Sequence, residues 1–325
     1  MNTVRPCYRL LAHLVLVISL LVVGQSVRAQ SPNNDGASPP ASNPGRPVVI
    51  PLTIKINARQ LDPETELQNV DLTVSEDGDP QTILSIRGIG TNSPITLAVL
   101  IQEDLVPSVG TEIKALADFI SGLPKGSRVM IGYLRTGSLQ VKQKFTVDTE
   151  KAATSLRPPS GFASAGPYNP YVEVIEALKK FDSQPLGRRA ILLVSDGLDI
   201  SRGVDSSLPT QSVDLQRAVN ESQRRGVAIY GFYAPTVVAS TNPGLAANAQ
   251  SSLLRLSTET GGHAFFQGTG APVSFEPFIR ELDVSLQKQV ALTFLSTHMK
   301  KGFHKIEVKS VTPGVKVTYP SGYMR

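Results

Sequence analysis

The chain has 325 residues, 41% of them hydrophobic and 18% charged, a globular composition long enough to bury one large core or two smaller ones. Its formal charge of +5 falls to +2 without the first 29 residues, because Arg5, Arg9 and Arg28 leave and no acid does; this gives little electrostatic reason to expect nucleic-acid binding. The single cysteine, Cys7, lies in the same segment, and the remainder can form no disulfide, thiolate metal site or cysteine nucleophile.

Residues 1–29 place Arg5 and Arg9 ahead of an apolar run from Leu10 to Val23, followed by Val27-Arg28-Ala29 with small residues where a signal peptidase reads. The run is shorter than the roughly 20 residues that span a bilayer, and His13 interrupts it. The expectation is a cleaved signal peptide, a secreted or periplasmic mature chain, and no stable membrane insertion. A large exported chain without disulfides fits a bacterial envelope. Residues 30–47, rich in Pro, Ser, Asn and Gly, carry too little apolar surface to offset the entropy of ordering and read as a disordered linker.

Residues 48–91 change to short β-like runs, "VVIPLTIKINA", "VDLTVSEDG" and "QTILSIRG", with turn signals at Asp62-Pro63 and Asp77-Gly78. Between 94 and 286, apolar runs ("ITLAVLI", "RVMIGYL", "RAILLVSDG", "VAIYGFY") alternate with helical spacing. Val109, Ile113, Leu116, Ala117 and Ile120 share one face, as do Val172, Ile175, Leu178 and Phe181. Continuous apolar strands between amphipathic helices imply an α/β fold, doubly wound on a mostly parallel sheet covered on both faces. Residues 287–325 return to strand-like runs with a turn at Pro313-Gly314. A few strands alone are marginal in water, so 48–91 and 287–325 are expected to pair into one small flanking β-sandwich.

In open α/β sheets ligands sit beyond the carboxyl ends of the strands, which singles out the loops "QEDLVPS" and "SDGLDISRG". Apolar strand, acidic loop and helix, then "ILLVSDG" and more acids, resemble a von Willebrand factor type A (VWA) domain. "LTVSEDGDPQTI" and "KVTYPSGYMR" further resemble the secreted bacterial subgroup of VWA-related proteins, so the likeness covers nearly all of the mature chain. The resemblance implies a metal-ion-dependent adhesion site made by a D-x-S-x-S loop, a threonine in a middle loop and an aspartate after the fourth strand. Here the last is Asp196, while the D-x-S-x-S positions fall on Gln102, Asp104 and Val106. The middle loop has no threonine at that position, its nearest oxygens being Ser164, Tyr168 and Asn169.

The adhesion site therefore reads as degenerate. Asp104 and Asp196 are the candidate metal ligands, and a divalent cation such as magnesium is expected to bind at most weakly, because hard cations need several oxygens. No other cofactor is implied. His263, His298 and His304 belong to no H-E-x-x-H, and no G-x-S-x-G occurs. The short glycine stretches fit no phosphate loop, and Arg188-Arg189 and Arg224-Arg225 read as cations at helix C-termini. The leading expectation is an exported, non-enzymatic module that binds a protein or cell-envelope ligand through Gln102, Glu103, Asp104, Tyr168, Asn169, Asp196 and Asp199. The alternatives are a hydrolase using Asp104, Asp196 and Asp199 around a water, or a structural subunit of an envelope complex.

Overall fold

The computed structural model describes residues 46–56, 71–88, 92–135, 137–161, 169–312 and 315–325. Residues 1–45, the Asp62-Pro63 and Pro313-Gly314 turns, Ser164 and Tyr168 lie outside them. In chain order, β1 (Arg46–Ile56), β2 (Leu72–Glu76) and β3 (Asp79–Arg87) precede β4 (Thr96–Gln102) and α1 (Ile113–Ser121). Next come β5 (Arg128–Arg135), β6 (Ser138–Thr146), α2 (Thr149–Thr154), α3 (Tyr171–Lys180), β7 (Arg189–Ser195), α4 (Val213–Arg225) and β8 (Ala228–Tyr233). They are followed by α5 (Val237–Thr241), α6 (Pro243–Glu259), β9 (Ala264–Phe265) and α7 (Glu276–Gln287). The chain closes with β10 (Gln289–Ser296), β11 (Phe303–Ser310), β12 (Val315–Thr318) and β13 (Gly322–Met324).

One sheet runs β6-β5-β4-β7-β8-β9, parallel throughout except that β6 pairs antiparallel with β5. Every residue of β4, β7 and β8 is buried, the outcome of helices on both faces. Strand alternation divides them: Leu97, Val99 and Ile101 join a core with Ile113, Leu116 and Ile120 of α1 and Leu282 of α7. Ala98 and Leu100 join one with α3, α4 and α6. The buried stripe of α3 is Tyr171, Val174, Ile175 and Leu178; Val172 sits at its margin, since the i, i+3, i+4, i+7 set starts one residue earlier. The edge strand β6 was not expected from the sequence. It alternates half-buried and exposed residues, and its hairpin is held by Gly137 N donating to Glu173 and Leu139 N to Glu176, both on α3.

The second sheet is antiparallel, in the order β12-β1-β10-β3-β2-β11-β13. It interleaves the two β segments: β1 pairs with β10 and β12, β10 with β3, and β2 with β11. It curls as one continuous sheet around Leu72, Val74, Leu292, Phe294, Ile306, Val308 and Tyr323, so no second sheet is needed to cover that core. The α/β unit is thus inserted between β3 and β10, two neighbouring strands. Arg188 sits at the crossing, 5% exposed, its guanidinium donating to the carbonyls of Ser93 and Leu286. Arg189 donates to the carbonyls of Gln184, Pro185 and Arg225, the last ending α4, and so answers that helix's negative pole.

Candidate functional site

β4 and β7 are neighbours, and the strands run outward from them in opposite sequence directions, so the crevice beyond their carboxyl ends is the topological switch point. Gln102 ends β4 and Asp196 follows β7. Both are buried, and they are joined directly: Gln102 Oε1 accepts from Asp196 N at 3.2 Å and from Ser195 Oγ at 2.5 Å. Gln102 Nε2 donates to Asp104 Oδ1 at 2.9 Å. After Asp196 the chain turns sharply through Gly197 at φ +72°. A Cβ there would lie 2.5 Å from Leu253 Cγ and 2.9 Å from the Ala249 carbonyl, so only glycine fits.

The Asp196 carboxylate is held at both oxygens, Oδ1 by Leu198 N at 3.0 Å and Oδ2 by Thr236 Oγ1 at 2.8 Å. Burial pushes its pKa up to about 6, against hydrogen bonds that favour the anion, and nearby Asp104 adds to the rise. Thr236 comes from the loop after β8, not from the middle loop. It is also the N-cap of α5, accepting from Ala239 N. Sequence reasoning missed it because the resemblance places its threonine in the middle loop, and Thr236 meets Asp196 across 40 residues. The same loop closes over the acids, since Leu105 bridges Thr236 and Val106 N donates to the Pro235 carbonyl. Val106, the position where the adhesion motif needs a ligand, forms part of this backbone seam.

The remaining rim residues divide. Glu103 turns inward, 6% exposed, to pair with Arg157 and accept from Ser160 N at 3.0 Å. Burial alone would raise its pKa, but Arg157 and Ser160 hold it below the ordinary value. Arg157 lies over the Tyr133 ring, 4.1 Å from its centroid. Asp199 is likewise buried and accepts from Ser201 N and Oγ and from Ser212 Oγ, which fixes the loop to the start of α4. Asn169 donates to Asp214 at 2.8 Å and accepts from Tyr171 N, so it braces α3 against α4. Glu103, Asp199 and Asn169 were expected to face a ligand and instead point into the protein, because each buried polar group needs internal partners. Tyr168 lies outside the described residues.

A mostly parallel sheet covered on both faces, with Asp196 at its switch point beside the end of β4, settles the architecture. The fold is VWA-like. No family model and no curated protein matches the chain. Solved structures similar to this VWA-like chain include an aerotolerance-related membrane protein from Bacteroides fragilis, at 14% identity and TM-score 0.43, covering 60% of this chain and 99% of that one. BatB from Bacteroides thetaiotaomicron has 14% identity and TM-score 0.41, over 60% of this chain and 98% of that one. A von Willebrand factor type A protein from Catenulispora acidiphila has 10% identity and TM-score 0.38, over 81% and 73%. VWA-like folds are common in protein-interaction modules. Among the described residues, no helix is long and apolar enough to cross a membrane.

The donor set at this VWA-like switch point does not suit a hard cation. Both oxygens of Asp196 and the oxygen of Gln102 already accept internal hydrogen bonds. The Gln102 amide also points an N–H, rather than an oxygen, at Asp104. The rim exposes Val204 and Leu208 beyond β7 and Val237 and Val238 beyond β8, among polar residues such as Arg202, Asp205, Ser240 and Thr241.

Proposed function

We propose that this chain is an exported, non-enzymatic interaction module that binds a protein or cell-envelope ligand through the loops beyond β4, β7 and β8, using apolar contact without magnesium. The observation that carries the reading is the division at the rim: Gln102, Asp196 and Asp199 are buried in internal hydrogen bonds, while Val204, Leu208, Val237 and Val238 stand exposed beside them. A contiguous exposed apolar patch marks an interaction surface, and the reading requires these four side chains to form one. Export is supported by the order of charged, apolar and small residues in 1–29. Photo-crosslinking in the native envelope fraction tests the binding face. A crosslinker at Val238 should give a discrete adduct that Val237→Glu abolishes, and one at Val147, exposed next to the edge strand β6, should give none. Equal labelling at both positions would remove the rim from consideration. Turnover of ester, phosphate or peptide substrates abolished by Asp196→Ala would replace the binding reading with an enzymatic one.

A further inference from the structure

The second sheet gathers ionisable groups from three places in the sequence. Glu76 ends β2, Asp77 opens the two-residue turn to β3, His304 lies in β11, and His298 lies in the segment between β10 and β11. One ligand atom each from Glu76, Asp77 and His304 lies within 4.8 Å of the other two. Glu76 is fully buried. Its Oε1 accepts from Ser296 Oγ at 2.9 Å and from Tyr323 OH at 2.6 Å, while among the described residues no hydrogen-bond donor reaches its Oε2. That oxygen faces His298 Nδ1 at 3.5 Å, an atom that also has no hydrogen-bond partner. A buried carboxylate oxygen without a donor is costly and calls for a cation to face it.

His304 sharpens the question. Its Nε2 lies 2.7 Å from the Lys300 carbonyl, which can only accept, so Nε2 carries the hydrogen. Nδ1 lies 2.8 Å from Asp77 Oδ2 and 3.4 Å from Glu76 Oε1. In the neutral ring Nδ1 is a bare lone pair aimed at two carboxylates, an arrangement that repels unless a positive centre stands between them. That centre is either a second proton on the ring or a metal ion.

The surroundings are those of a metal site. Each ligand is oriented by a further group: His304 by the Lys300 carbonyl and by the Tyr323 ring, stacked at 5.2 Å; Glu76 by Ser296 and Tyr323; Asp77 by Lys305 N at 2.8 Å on its other oxygen. Asp77 has φ +51°, the one positive value at a non-glycine among the described residues, and it opens a hairpin turn completed by Gly78 at φ +98°. Two donors bound tetrahedrally to one ion at about 2.0–2.1 Å lie about 3.4 Å apart. The separation of His304 Nδ1 from Glu76 Oε1, 3.4 Å, meets that spacing, while His298 Nδ1 faces the other carboxylate oxygen, Oε2, at 3.5 Å. The Asp77 contact would open by roughly half an ångström to match. Asp77 and His298 are partly exposed and give an entry path.

We propose that Glu76, Asp77 and His304 bind one divalent transition-metal ion of the zinc class, with His298, 3.5 Å from Glu76 Oε2 and 3.2 Å from Asp79, orienting the Glu76 carboxylate from outside the ligand set. An imidazole together with two carboxylates favours zinc-like ions over magnesium or calcium. The ion ties the β2–β3 turn to β11 and to the segment after β10, closing one end of the curled sheet. The full chain without an affinity tag, freed of metal and titrated at pH 7.5 with Zn2+ against a chromogenic chelator, should take up one ion per molecule and melt at least about 5 °C higher. Co2+ in its place should give the strong visible absorption of a four-coordinate site. His304→Gln should weaken binding by about 100-fold or more and His298→Ala by about 10-fold, while Asp196→Asn leaves it unchanged. Failure of the wild-type chain to bind Zn2+ stoichiometrically overturns the proposal and leaves a protonated His304 as the cation. Uptake that survives both histidine substitutions also overturns it. Should His304→Gln fail to fold, the cobalt spectrum of the wild-type chain and the His298→Ala titration decide the matter.

Discussion

The protein buries acids at two ends of its architecture and treats them in opposite ways. At the α/β switch point Asp196 has a donor on each oxygen, and the amide of Gln102 stands where the adhesion motif has a first aspartate. In the curled sheet Glu76 has two donors on one oxygen and none on the other, which looks at a histidine. Location in a family's usual metal position therefore says less about metal than the count of lone pairs left without donors. Each Asp196 oxygen has a donor, whereas at the hairpin Glu76 Oε2 and the His298 Nδ1 that faces it have none among the described residues.

The comparison breaks most visibly if an acid is placed at the end of β4. Gln102→Asp puts a third carboxylate beside Asp104 and Asp196 and removes the acceptor shared by Ser195 and Asp196 N. It should cost about 3 kcal/mol at pH 7.5 by urea unfolding, with part of the loss recovered in millimolar magnesium. No recovery would mean that added charge alone does not make the crevice bind metal.

Proton linkage gives the next largest effect. A folded pKa of about 6 for Asp196, above its ordinary 3.8, means that the folded state holds the proton more tightly than the unfolded one. The resulting stability is fully present below about pH 4 and is lost as pH rises through about 6, roughly 3 kcal/mol in all. Asp196→Asn keeps an acceptor for Leu198 N, can donate to Thr236, and removes the ionisation. It should equal or exceed the wild type by about 1–2 kcal/mol at pH 7.5 and lose that advantage by pH 4. A variant much less stable than wild type at pH 7.5 would show that the anion is needed.

Thr236→Val removes the donor to Asp196 Oδ2 together with the cap of α5, and should cost about 1–2 kcal/mol in the same unfolding assay. The smallest effect is expected from magnesium itself: melting of the metal-freed wild-type chain should change by no more than about 2 °C when millimolar magnesium is added. A shift beyond about 5 °C, absent in Asp196→Ala, would show that the rim rearranges to bind.

Much of the scaffold was legible because it is written in local periodicity. The runs around Leu97–Ile101, Arg189–Ser195 and Ala228–Tyr233 are buried on both sides and look it, and "SDG" carries both the acid and the glycine that its turn requires. The site was legible only as a list of side chains. Whether Glu103 faces outward or meets Arg157 depends on a partner 54 residues away, and Glu76 meets Tyr323 across 247 residues. No spacing rule connects such pairs. The two histidines were set aside because they fit no linear metal motif, whereas the hairpin, the segment after β10 and β11 bring them together only after the sheet has formed. Thr236 meets Asp196 across 40 residues, a pairing that no local motif marks.

The insertion of the α/β unit between adjacent strands also sets an order of events in folding. Arg87 on β3 pairs with Ala291 on β10, about 200 residues later, and the intervening chain must be compact before that pair can close without a large entropic cost. The parallel sheet therefore forms first and acts as the clasp that delivers β3 and β10 to one another, with the Arg188 contacts to Ser93 and Leu286 completed as they meet. Pulse-labelled hydrogen exchange during refolding should protect the amides of β4 and β7 before those of β3 and β10. The curled sheet is then a late seal, and its histidine–carboxylate corner among the last parts of the molecule to acquire a shape.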